Sequence, residues 1–181
     1  LSKEMLIVLM CTFFTSNCFS KTEFPVDFLL QADVTPSAAG FEIKSVVISP
    51  NNFTVIYDES HERFHDINST LTVNTDIPSS RLESFYYDIN LVENNASCLL
   101  HNGKTIYYEP PVLAITNNMG DLVEVNSRNP LLWQEFDDVV SGTQASVKKI
   151  NLSFSKIPVT DFINNYKYCE GKMTLMVGLS I

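Results

Sequence analysis

The chain has 181 residues, with 12 Lys and Arg against 21 Asp and Glu, a formal charge of −9. That balance excludes a nucleic-acid binder, because no basic stripe exists to neutralise phosphates. With only 6 Gly and 8 Pro, no internal repeat and no low-complexity tract, the composition is that of one folded domain.

Leu1–Ser20 reads as a secretory signal. Lys3 gives a basic start, Met5–Phe14 is an apolar run too short to span a bilayer, and Cys18 and Ser20 stand where a signal peptidase needs small residues. Met10 and Asn17 precede Cys11 and Cys18 where a lipobox needs a small residue, so neither cysteine reads as a lipid anchor. Removing the signal leaves about 160 residues, enough to bury a core, and no later apolar run approaches the length of a membrane span.

The next segment, Lys21–Val34, is an alternating strand that belongs to no hairpin. Val26, Phe28, Leu30, Ala32 and Val34 fall on one face of an extended chain, and Thr35-Pro36 ends it. Further strands are expected at Phe41–Ser49, Phe53–Tyr57, Leu71–Asn74 and Phe85–Leu91, with turns at Pro50-Asn51-Asn52 and Pro78-Ser79-Ser80. Ser97–His101 and Lys104–Tyr108 flank Asn102-Gly103, the strongest short hairpin signal. Leu113–Thr116 and Leu122–Val125 flank a second turn, and Ile150, Leu152 and Phe154 alternate again. The last strand is Lys172–Ile181, with Met173, Leu175, Val177, Leu179 and Ile181 on one face. Arg128–Val140, which contains Trp133, and Val159–Tyr166 read as single helical turns or ordered loops. Short strands at this spacing argue an all-β sandwich.

Cys98 and Cys169 survive processing. In an oxidising compartment an isolated pair is most simply a disulfide, whereas a reactive thiol has no C-x-x-C or His-based motif to support it. Closing a loop of about 70 residues would stabilise the fold by roughly 4 kcal/mol in the chain-entropy model. Asn-X-Ser/Thr occurs at Asn52, Asn68, Asn95 and Asn151, glycosylation acceptors in a eukaryotic secreted protein but matches expected by chance in an Asn-rich chain.

His61-Glu62-Arg63-Phe64-His65 matches the H-E-x-x-H pattern, in which two His on one helical face hold Zn²⁺ and the Glu activates water. Its acidic, strand-flanked setting and the Arg within it read as a solvated loop instead. No Gly-x-Ser-x-Gly, Gly-rich phosphate loop or Cys-His arrangement appears. His101 reads as a surface residue of its turn, and Asp58-Glu59 and Asp137-Asp138 as solvated acidic loops. The sequence therefore points to no enzyme, no metal and no cofactor.

Four segments carry a resemblance: Phe28–Pro36, Val47–Pro50, Thr72–Asp76, and Tyr168–Gly171 followed by Met173–Leu179. Together they resemble the CS1/CFA/I-type fimbrial subunits, the class 5 pilins of the alternate chaperone–usher pathway. The chain departs from the family's best-known major subunits in its two mature cysteines and in Arg128–Val140. The resemblance implies residues 1–20 as signal, 21–35 as a donor-strand extension and 36–181 as an immunoglobulin-like sandwich lacking its final strand. It implies a groove bordered by a strand near Phe41–Ile48 and by the C-terminal strand Met173–Ile181. A periplasmic chaperone would fill the groove first. At the outer-membrane usher a neighbouring subunit's N-terminal strand would replace it, and the fibre would stand on the cell surface. Val26, Phe28, Leu30, Ala32 and Val34 are then the pocket-filling residues.

The competing reading is a secreted or periplasmic binding module, adhesin- or lectin-like, in which the same segment is an ordinary first strand. The two readings differ in what that strand does. A segment projecting without a partner favours the fibre subunit, and one paired into its own sheet favours the module, although a single subunit on its own can also fold its strand back into its own groove.

Overall fold

The structure is a computed structural model, and it describes residues 26–34 and 40–180. The expected signal lies outside the described residues, as does Ile181. In chain order the elements are β1 (Val26–Val34), β2 (Ile43–Ser49), β3 (Asn52–Val55), β4 (Tyr57–Asp58), β5 (Arg63–Phe64), β6 (Ile67–Pro78) and β7 (Tyr86–Leu100). There follow β8 (Thr105–Tyr107), β9 (Val112–Thr116), β10 (Leu122–Val125), β11 (Leu131–Glu135), β12 (Asp138–Val140), β13 (Thr143–Ser153), α1 (Val159–Asn165) and β14 (Tyr166–Ser180).

Two sheets pack face to face. The first runs β11-β7-β14-β1-β3, with β8 also on β7, and the second runs β10-β9-β13-β6-β2, with β12 on β13. Alternation sets which side chains enter. Along β6 every second residue from Ile67 to Ile77 is buried, including Leu71 and Val73, while Asn68, Thr70 and Thr72 turn outward. From the first sheet Tyr87, Ile89, Leu91, Met173, Leu175 and Val177 face this layer, and from the second Leu113, Ile115, Ile150 and Leu152 complete it. The result is the expected all-β sandwich.

Two regions differ from the sequence reading. The strands expected at Phe85–Leu91 and Ser97–His101 are one 15-residue strand, β7, because it pairs nearly throughout with the equally long β14. A bulge at Val92 keeps both halves facing inward although the apolar alternation slips by one residue. Arg128–Val140 forms no helical turn; it supplies β11 and β12, edge additions to β7 and β13. Val159–Tyr166 does contain a short helix, the one helix among the described residues. The Asn102-Gly103 turn is present, with Gly103 at φ +83° and Asn102 Oδ1 accepting from the Lys104 N–H at 2.9 Å.

Cys98 and Cys169 sit directly opposite each other in the β7–β14 ladder, both buried, and are bonded. The bridge joins residues 71 apart, so replacing both cysteines with Ser should lower unfolding free energy by roughly 2–5 kcal/mol. Urea titration followed by circular dichroism measures it. An intact mass free of both the signal peptide and two thiol hydrogens would establish processing and the bridge together.

Candidate functional site

The residues that sequence singled out at the two ends of the chain meet. β1 lies between β14, to which it runs parallel, and β3, to which it runs antiparallel. Its register sets Val26 beside Cys169, Phe28 beside Gly171, Leu30 beside Met173, Ala32 beside Leu175 and Val34 beside Val177. The strand is thus paired into its own sheet and does not project. Its outer neighbour is β3; the region near Phe41–Ile48, expected to border it, is β2 and belongs to the opposite sheet. The Leu30 N–H also donates to the Asn51 carbonyl at 2.8 Å, extending that border by one residue.

The inward face of β1 is graded. Phe28 and Leu30 are fully buried, Ala32 is half-buried, and Val34 is 40% exposed where the strand runs out past the core. Burying Phe28 and Leu30 is worth about 1.5–3 kcal/mol each before ordering costs, so two residues carry the apolar anchoring. On the outer face Asp27, Leu29, Gln31 and Asp33 are exposed. There a shallow groove of about 410 Å³ runs over Leu29, Asn52, Ser97, Glu170 and Lys172.

The Phe28 seat was not legible from sequence. Gly171 faces the core, and a Cβ built there would lie 2.3–2.8 Å from three atoms of the Phe28 ring. The missing side chain is therefore the space the ring fills. The ring packs edge-on against Phe154 at 5.5 Å, and Phe154 against Phe64 at 5.5 Å. The C-terminal strand contributes as expected: Met173, Leu175 and Val177 are fully buried and Leu179 packs against the core more loosely.

The H-E-x-x-H match falls on the two-stranded hairpin β4–β5, with Glu62 at φ +55°. The two His therefore do not share a helical face, and among the described residues no group of three or more His, Cys, Asp or Glu converges to hold a metal. Phe64 is the structural residue of the segment, fully buried against Tyr57, Phe154 and Phe162. The Glu62 carbonyl accepts from the Ile157 N–H at 2.7 Å, pinning the approach to α1. Asp58 accepts from the Ser60 hydroxyl and from His61 Nδ1, each at 2.6 Å, and these bonds hold its carboxyl well below the usual carboxylate range. A carboxyl depressed by folding stabilises above its unfolded pKa, and that contribution disappears as pH falls through the folded value. Burial pushes the Tyr57 phenol up to about 12, and its hydroxyl donates to the Ile157 carbonyl. His101 is exposed beside its turn, and its backbone N–H donates to the Asn165 carbonyl at 3.0 Å.

No family model matches the chain, and no curated protein matches it significantly. Among the described residues no helix is long and apolar enough to cross a membrane. The buried disulfide fits an oxidising, exported environment.

The Phe28–Gly171 contact makes a measurable coupling. Gly171→Ala should destabilise the protein by about 1–3 kcal/mol, since the ring must leave its seat. In a Phe28→Leu background the same change should cost clearly less. A double-mutant cycle in urea reads the difference, and additive effects would mean that the ring does not depend on the glycine.

Proposed function

We propose that the protein is a structural subunit of a bacterial surface fimbria that polymerises by donor-strand complementation and supports adhesion. The observation that carries this reading is the slot between β14 and β3. It is filled by a strand that has no hairpin partner, and one of its two neighbours, β14, comes from the far end of the chain. Pairing across so long a stretch of chain forms late, because loop-closure entropy is met before the contact is made. A parallel pair is also slightly weaker per residue than an antiparallel one. The same slot could therefore accept a strand from another subunit, seated by its own Phe28 and Leu30. Before assembly a periplasmic chaperone would cover the two edges, and the outer-membrane usher would be the place of exchange. Head-to-tail donation does not close on itself and so grows a fibre.

A second reading is supported by one specific observation: β1 is paired in its own sheet with its apolar residues buried. A self-contained binding module, secreted or periplasmic, has that arrangement.

Two substitutions separate the readings. Leu30→Asp would bury an unpaired carboxylate in the slot, whereas Gln31→Asp lies on the exposed face. In a fibre subunit Leu30→Asp abolishes surface fibres yet leaves chaperone-bound subunit soluble, and Gln31→Asp assembles. Electron microscopy and periplasmic yield with the chaperone co-expressed give the answer. Equal assembly of both variants, or loss of the chaperone-bound subunit with Leu30→Asp, would show β1 to be an internal strand.

A further inference from the structure

At the edge of the first sheet, β11 is bulged. Leu131 pairs with Ile89 and Gln134 with Tyr87, which leaves Leu132 and Trp133 together opposite Asp88. Bulges at sheet edges re-aim side chains. Here the bulge sets Trp133 at φ +54°, a left-handed conformation that a bulky residue avoids. Three hydrogen bonds hold it. The Trp133 backbone N–H donates to Asp88 Oδ1 at 2.7 Å, its carbonyl accepts from Asn118 Nδ2 at 3.1 Å, and Asn118 Oδ1 accepts from the Glu135 backbone N–H at 3.1 Å.

Asn118 is itself anchored from beneath. Lys148 is 2% exposed, and its ammonium lies 3.4 Å from both Asn118 Oδ1 and Asp137 Oδ2. The other Asp137 oxygen accepts from the Ser146 hydroxyl, which in turn accepts from Tyr87. A buried cation with its polar partners is costly to desolvate, and this one fixes a surface bulge. Trp133 remains 55% exposed, and its ring meets that of Tyr86 at 5.9 Å and 76°. The fold gains little burial from a ring so presented. Backbone strain that its surroundings over-determine is characteristic of a side chain held ready for a ligand.

The chemistry of the corner selects the ligand. Two aromatic planes at nearly a right angle offer a C–H surface to stack on, with the Tyr86 phenol and the Glu135 carboxylate beside it for hydroxyl groups. Asp88, Glu135, Asp137 and a chain charge of −9 disfavour an anion. The bulge breaks the regular edge that an added polypeptide strand would need. A cation would be met by two rings on one side only, short of an enclosing cage. We propose that Trp133 and Tyr86 form a stacking platform for a neutral saccharide, with Asn118 as the residue that positions it. The platform is remote from β1 in the sheet order, so it stands whether or not the protein donates a strand.

Trp133 is the chain's single tryptophan, so its fluorescence reports on this site alone. Full-length processed protein is titrated with lactose, cellobiose, mannobiose and chitobiose at millimolar concentration, and saturation-transfer NMR is recorded on the sugar protons. At least one sugar should shift the emission saturably. Trp133→Ala should weaken binding by roughly tenfold or more, and so should Trp133→Gly, which fits the positive φ and preserves the bulge. Asn118→Ala should weaken binding although the ring is still present, and Leu82→Ala, at a fully exposed site elsewhere, should change nothing. The proposal is overturned if none of the four sugars binds, if binding survives loss of the ring, or if choline rather than sugar shifts the emission. Emission that changes with protein concentration alone would equally overturn it, since a second copy would then cover the ring.

Discussion

The antiparallel ladder between β7 and β14 is the element from which the whole first sheet is hung. β11 and β8 attach to β7, β1 attaches to β14, and β3 is reached only through β1. Both strands are 15 residues long, and the Cys98–Cys169 bond crosses between them. Their inward residues, from Tyr87 to Leu91 and from Met173 to Val177, face the second sheet across the core. This ladder also sets the register of β1, because Cys169, Gly171 and Met173 fix where Val26, Phe28 and Leu30 must lie.

The two ends of the sandwich solve different problems. Around Phe28 the packing is wholly apolar, an aromatic run through Phe154 and Phe64 closed by the hairpin β4–β5. Around Lys148 it is polar, and Tyr87, Ser146, Asp137 and Asn118 share a buried charge. An apolar seat tolerates exchange of one strand for another of similar shape. A charge-centred network does not, because each group left unpaired carries its full desolvation cost. The molecule thus has an apolar end and a charge-centred one.

Period-2 alternation made most of the strands legible, along with the face of β1 and the buried face of β14. Isolation of Cys98 and Cys169 made the disulfide legible. What stayed hidden depended on distant partners. Nothing local marks Asn52–Val55 rather than Ile43–Ser49 as the neighbour of β1, since the turn between them sends the chain across to the other sheet. Gly171 looks like an ordinary strand glycine until Phe28 is placed beside it. Arg128–Val140 lacks alternation because bulging displaces its residues, which made it read as helical turns or ordered loops. Lys148 sits at an inward position of β13 as an apparent exception to the alternation, and its partners come from other elements, at Asn118 and Asp137.

The pairing of β3 has a mechanical corollary. Within the described residues its ladder bonds run only to β1. Any event that draws β1 out of the sheet therefore strips Asn52–Val55 of its partner at the same moment. The two strands form one opening unit, while β2, a turn away across the cis Ser49–Pro50 bond, stays paired to β6. Backbone amides in Asn52–Val55 should thus lose their protection from solvent exchange in step with those of β1, making that short edge a natural gauge of whether the slot is full or empty.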